Sequence, residues 1–194
     1  MIIRSLYLRR IEVSAGAVFL LSLLYFFSDF ETGAAIITAV AVHELGHIAL
    51  IKLCGGSAKG LRMSVSGLCI SCTGLYGAGE LFALLAGPAA GIILAYAASF
   101  LGNRYFNSYL LKTAGFSLIL SLYNLLPALP LDGGRALALV LSGCFGETAS
   151  AKITEILSFL TGLGMLAAGL ILLKNQFGIA LFAAGIIILF KQVL

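Results

Sequence analysis

Long apolar runs, separated by short polar or glycine-bearing breaks, set the pattern of this chain. Stretches of about 20 mostly apolar residues predict membrane-spanning helices. Such stretches occur at Ile11–Phe27, Gly33–Leu53, Glu80–Leu101, Tyr109–Leu126, Ile153–Leu173 and Phe177–Leu194. The breaks are Ser28-Asp29, Gly55-Gly56-Ser57, Gly102-Asn103-Arg104 and Lys174-Asn175-Gln176. The fourth and sixth runs are short for a span, so five spans or a re-entrant fourth fit the same pattern.

One segment has a different period. Leu61, Met63 and Val65 alternate with Arg62, Ser64 and Ser66, and Leu68, Ile70 and Cys72 alternate with Cys69, Ser71 and Thr73. Alternation on both sides of Ser66-Gly67 predicts a β-hairpin within Leu61–Tyr76. Its open edges would leave backbone groups unsatisfied in lipid, so it belongs at the surface or within the shelter of the bundle. Pro127 to Gly134 interrupts the apolar pattern again, and Ala136–Leu141 is too brief to cross a bilayer. The predicted fold is an all-α polytopic membrane protein of about six spans, with a small membrane-associated hairpin between the second and third. It forms a single domain over residues 1–194, with a core at about 33–135 and accessory helices at 1–28 and 150–194.

Composition sharpens this picture. The chain is 61% hydrophobic and 10% charged, against about a quarter charged in soluble domains, too few charges to clothe a water-facing surface. The first ten residues and the run after them resemble a signal peptide, but Ser28 to Thr32 lacks a small-x-small cleavage pattern, which favours a retained span. The net charge of +4 does not point to nucleic acid, because the basic residues sit at span ends. With the N-terminus cytoplasmic, Arg4, Arg9, Arg10, Lys52, Lys59, Arg62, Arg135, Lys152 and Lys191 fall inside, and Arg104, Lys112 and Lys174 outside. That bias places both termini at the cytoplasmic face of a cell membrane. The four cysteines suggest no disulfide framework. Cys69-Ile-Ser-Cys72 has metal-site spacing, but in a strand its two thiols point to opposite faces.

The only two histidines in the chain fall in His43-Glu44-Leu45-Gly46-His47, inside the second span. On a helix, positions i and i+4 share a face, so both imidazoles can bind one metal ion, and Glu44 can act as general base on water beside it. Ionisable groups within a span cost roughly 2.5–3.5 kcal/mol each on insertion scales and mark functional sites. Catalytic zinc usually takes three protein ligands. The third has two candidates, Asp132 just past the fourth span and Glu80 at the entrance to the third. Asp132 is favoured, because the second and fourth spans run in the same direction and deliver it to similar depth; Gly133 and Gly134 permit close backbone approach. Glu80 fits a charge at a helix start.

These residues resemble the site-2 protease family (M50) of intramembrane metalloproteases. The resemblance rests on the His-Glu-Leu-Gly-His segment followed by Asn124-Leu-Leu-Pro127-Ala-Leu-Pro130-Leu-Asp132-Gly133, with Ala86-Gly87-Pro88 and Gly91 between them. It implies one zinc ion per chain held by His43, His47 and Asp132, with Glu44 activating water. It implies that Asn124 lies close to the site, contacting the substrate carbonyl or bracing two helices. The hairpin matches the family's membrane-associated strands, whose edge can receive an unfolded substrate segment. The compact core leaves no room for a PDZ domain and looks most like the sporulation stage IV FB branch, although no CBS domain follows. The implied activity is hydrolysis of peptide bonds in or near transmembrane segments of membrane-associated substrates. The partners are then a membrane protein or peptide substrate and the lipid bilayer, with room for a regulatory membrane partner and none for nucleic acid. Two rivals are a membrane metal-binding or transport protein, which needs ionisable groups along several spans, and a non-catalytic binder of membrane segments.

Overall fold

The computed structural model describes residues 10–13, 29–64, 67–73, 77–172 and 176–193. Its strands are β1 (Arg10–Val13), β2 (Ser57–Ser64) and β3 (Gly67–Thr73). Its helices are α1 (Phe30–Leu53), α2 (Ala78–Tyr105), α3 (Ser108–Asn124), α4 (Asp132–Phe145), α5 (Glu147–Ile171) and α6 (Gln176–Val193). Among the described residues, α1, α2 and α5 are long and apolar enough to cross a bilayer. The chain is a membrane protein.

Helix ends follow local chemistry. Asp29 caps α1 by accepting from the Thr32 backbone N–H at 3.3 Å. Asn107 does the same for α3, accepting from Leu110 N–H at 3.1 Å. Phe106, with φ of 50°, turns the chain sharply between α2 and α3, so these two helices run antiparallel and pack closely.

Four helices share one packing rule. The buried stripe of α1 is Ala35, Ala39, His43, His47 and Ile51, each four residues after the last. In α2 it includes Ala83, Gly87, Gly91 and Ala95; in α3, Thr113, Ser117 and Ser121; in α5, Ser150, Thr154, Ser158 and Gly162. Ridges of i+4 spacing pack into matching grooves, and small or hydroxyl side chains let membrane helices approach closely. A Cβ added to Gly91 would stand 2.2 Å from Ser121 Oγ, so α2 and α3 meet there with no space for a larger residue. Large apolar side chains point the other way: Ile93, Tyr96, Phe100, Leu122 and Phe159 are all exposed. That costs nothing where the surroundings are lipid rather than water. The two histidines are thus part of the ridge by which α1 packs onto α2 and α3.

Beyond this core, α4 packs against α2 and α5, and α5 pairs with α6. The loop between α3 and α4 is anchored in an apolar cluster of Ala128, Leu131, Met165 and Ile188, with Tyr123 and Leu126 against it.

Strands β2 and β3 pair antiparallel, from Ser57 opposite Thr73 to Ser64 opposite Gly67, with an irregularity between Ala58 and Gly60. β1 adds to β2 in parallel, Arg10 opposite Gly60 and Val13 opposite Met63. This corrects the expectation of a helix beginning at Ile11. Ile-Glu-Val sets β-branched apolar residues on either side of a polar one, which fits a strand as well as the first turn of a span. The remainder of that expected first span, residues 14–27, lies outside the described residues, as do the side chains of Cys69 and Cys72. The short segment after Pro130 is longer than its apolar core suggests, because α4 begins at Asp132 itself. Similarly, α5 begins at Glu147, before the apolar run, with an acidic first turn that complements the helix dipole.

Candidate metal centre

Three side chains from two helices converge. His43 Nε2 lies 3.2 Å and His47 Nε2 3.1 Å from Asp132 Oδ2, and the two imidazole nitrogens are 3.3 Å apart. The rings stand nearly perpendicular, at 77° with centroids 4.9 Å apart. Both histidines are buried and Asp132 is half-buried.

The local sequence accounts for each position. His43 and His47 are one turn apart on α1. Asp132 opens α4, where the positive end of the helix dipole favours a carboxylate. Its approach depends on the two glycines that follow. A Cβ at Gly133 would lie 2.2 Å from Leu125 O, and one at Gly134 would lie 2.4 Å from Ala128 C and O. The first turn of α4 is therefore pressed directly onto the backbone of the preceding loop. That loop is tied down by Leu131 N–H to Ala128 O at 2.9 Å and by Leu129 N–H to Ser158 Oγ at 2.9 Å.

The donor chemistry fits a cation. His47 Nδ1 is 2.7 Å from the Ala83 carbonyl oxygen, which can only accept, so Nδ1 carries the proton. In the neutral ring Nε2 is then a lone-pair atom. It faces the carboxylate oxygen of Asp132, and two acceptors turned on one another need a proton or a metal ion between them. Zinc with bonds of about 2.0–2.1 Å in a tetrahedron holds its ligand atoms roughly 3.3–3.4 Å apart. The observed triangle is within a few tenths of an ångström of that, before any adjustment around an ion. His43, His47 and Asp132 are the residues that could hold a metal.

Gly87 completes the setting. A Cβ there would come within 2.1 Å of His47 Nε2, so only glycine leaves that nitrogen clear. The adjacent Pro88 and the glycine spacing are the sequence signals that this stretch of α2 approaches something closely. Glu44, half-buried, follows His43 by about 100° of helix rotation and so lies on the flank of the ligand face.

A small cavity of about 30 Å³ opens beside His47 and Asp132, and its other charged lining residues are Glu80 and Arg135. Glu80 is therefore near the site but outside the three-residue ligand group. Arg135 was not among the candidates from sequence. Its signal was the i, i+3 spacing from Asp132, which puts the two on one face of α4. Asn124 sits at the end of α3, and its Nδ2 donates to Leu120 O at 3.1 Å, within its own helix. Among the described residues, its hydrogen bonding does not involve His43, His47 or Asp132.

A His-Glu-x-x-His helix, a carboxylate from a second helix and membrane-length apolar helices define the class, a membrane protein with a candidate metal centre. Peptidase family M50 matches over residues 101–168. A zinc metalloprotease of Methanocaldococcus jannaschii is 33% identical over 138 residues, covering 69% of this chain and 41% of that protein. This chain thus spans about two fifths of the length of that curated relative. Among solved structures, the site-2 protease from Methanocaldococcus jannaschii superposes with a TM-score of 0.74 at 25% identity, over 94% of this chain and 88% of that one. Over residues 101–168 the chain is thus similar to peptidase family M50.

Proposed function

We propose that the chain is an intramembrane zinc metalloprotease that hydrolyses peptide bonds in or near transmembrane segments of membrane-associated substrates. The observation that carries this reading is the triangle of His43 Nε2, His47 Nε2 and Asp132 Oδ2, with sides of 3.1–3.3 Å, in a half-buried place reached by a water-sized cavity. His43, His47 and Asp132 would hold one zinc ion per chain. Bound there, zinc supplies Lewis-acid polarisation of a carbonyl and makes water a competent nucleophile near neutral pH. Glu44 accepts the proton of the attacking water and returns it to the departing amine. The Ala83 carbonyl fixes the His47 ring and its tautomer. Asn124, whose side-chain carbonyl and second N–H remain free of the Leu120 bond, braces the end of α3 or contacts the substrate carbonyl.

The wider setting belongs to the same proposal: about six spans in a cell membrane, with both termini and the site towards the cytoplasm. The edge of the small sheet offers an unfolded substrate segment a place to pair. About six spans around a compact core fit the sporulation-type branch. A metal carrier fits less well, because among the described residues there is a single three-ligand group.

The experiment is zinc stoichiometry together with cleavage of a transmembrane substrate, comparing wild type with Glu44→Gln. One zinc in both and cleavage by wild type alone is the expected result. Cleavage by Glu44→Gln would refute the role of Glu44, and a metal-replete preparation without zinc would refute the site.

A further inference from the structure

The cavity beside His47 and Asp132 has charged walls with no assigned task. Glu80 comes from the first turn of α2 and Arg135 from the first turn of α4. Both are half-buried. Among the described residues no ion pair joins them; the ion pairs there are those of Asp132 with the two histidines and of Lys112 with Asp29 and Glu31. Opposite charges that share a half-buried space without pairing are costly unless something else completes them.

The size of that space limits what the something is. At about 30 Å³ it is far smaller than the about 300–1,000 Å³ of pockets that enclose side chains or small molecules, so what completes the two charges lies across its mouth rather than inside it. The rest of the lining is Ile51, Ala83 and Leu84, apolar and without competing donors or acceptors on their side chains. A carboxylate and a guanidinium lining one small cavity match the two groups that every peptide unit presents, an N–H and a C=O. The carboxylate only accepts when ionised, and the guanidinium only donates.

We propose that Glu80 and Arg135 are substrate-positioning residues that grip the backbone of an extended segment beside the bond to be cut. Glu80 accepts from one backbone N–H, and Arg135 donates to one backbone C=O. Recognition of this kind reads no side chain. It also requires the substrate helix to be open at that point, since intact helical N–H and C=O groups are already paired within the helix. The idea rests on the proteolytic reading above, with cleavage and binding measured separately.

The probe is a synthetic peptide of about 20 apolar residues, interrupted by glycine at its centre and flanked by lysines. A series of analogues replaces one amide at a time by an ester near the centre, removing a single N–H. Binding is measured to the full-length, zinc-loaded Glu44→Gln protein in detergent, alone and combined with Glu80→Ala, Glu80→Gln, Arg135→Ala or Arg135→Lys. Zinc content checks that each variant keeps its site. One ester position should weaken binding about tenfold with Glu80 present and not at all with Glu80→Ala, because a charged hydrogen bond is lost only once. Arg135→Ala should weaken binding of the all-amide peptide roughly ten- to a hundredfold, and added guanidinium should restore part of it. Equal ester effects with and without Glu80 at every position would overturn the proposal. So would full binding by Arg135→Ala, or loss of zinc in the conservative Glu80→Gln and Arg135→Lys variants, which would mark the pair as structural. Cleavage of the same peptide by the protein with Glu44 intact tests the proteolytic reading, whichever way binding falls.

Discussion

Gly87 and His47 are in such close register that a methyl group on Gly87 would lie 2.1 Å from the Nε2 of His47. Backbone from α2 therefore forms one wall of the ligand triangle, and the two helices are fixed to each other at the point where the chemistry is placed. Gly87→Ala should displace the imidazole rather than α2, whose neighbouring turns are locked by Gly91 against Ser121. Zinc affinity should fall about 10–100-fold or more while the protein remains folded. Metal titration of the purified variant, with its circular dichroism and melting compared to wild type, checks this.

The two acids near the histidines should separate on a single assay. Asp132→Ala removes one of the three ligand atoms, so bound zinc should drop to a small fraction of wild type after dialysis. Glu80→Ala should retain about one zinc per chain, because Glu80 lines the cavity and stands outside the ligand group. Elemental analysis of both proteins gives the answer, and the reverse result would move the third ligand to α2.

The loop that delivers Asp132 hangs on one hydroxyl. Ser158 is fully buried, and its Oγ accepts the Leu129 N–H at 2.9 Å while donating to Thr154 O at 2.7 Å. Ser158→Ala should cost about 1–3 kcal/mol, the usual penalty for stranding a polar partner. Zinc should be held more weakly in the same variant. A melting curve and a competition assay with a chelator measure the two effects.

At the other end of α1, Lys112 Nζ reaches Asp29 at 2.9 Å and Glu31 at 3.3 Å, joining the starts of α1 and α3. The Thr32 hydroxyl and then Lys112 hold the Asp29 carboxyl down at about 2, below its ordinary 3.8. A carboxylate whose pKa is depressed by folding adds stability that is fully present above the ordinary value and disappears as pH falls through the lowered one. Asp29→Asn keeps an oxygen for capping and removes the charge. Its melting temperature should lie below wild type at pH 5, and the gap should narrow between pH 4 and pH 2. A constant gap over that range would mean the charge contributes nothing.

Sequence carried the repeating elements well and their junctions poorly. The shared face of His43 and His47 follows from helical spacing alone. Their meeting with Asp132 does not: it depends on α1 and α3 running the same way and on a loop whose hydrogen bonds reach Ser158, far away in the chain. The favoured choice of Asp132 over Glu80 rests on that depth argument, and the structure brings both near the histidines, Asp132 within the three-residue group that could hold a metal and Glu80 in the lining of the cavity. Strand β1 was hidden because four residues of alternating character are indistinguishable from a helix start until a partner strand is known. Arg135 was hidden because its charge served equally well as a marker of the cytoplasmic side. The tight approach of Gly87 to His47 left a trace, a Gly-Pro pair in the middle of an apolar run, but the trace named no partner.

The i+4 ridges turn the usual protein inside out: small and hydroxyl-bearing residues inside, bulky hydrocarbon outside. What specifies the arrangement is then written almost entirely on the inner stripe, and the outer positions need only suit their solvent. Ile93, Tyr96, Phe100, Leu118, Leu122 and Phe159 are exposed and point away from the inner stripes. Recoating such positions with polar residues of similar shape would exchange one solvent for another and leave the helix contacts as they are. A chain built this way is a candidate for conversion into a water-soluble scaffold whose metal site never learns that the membrane has gone.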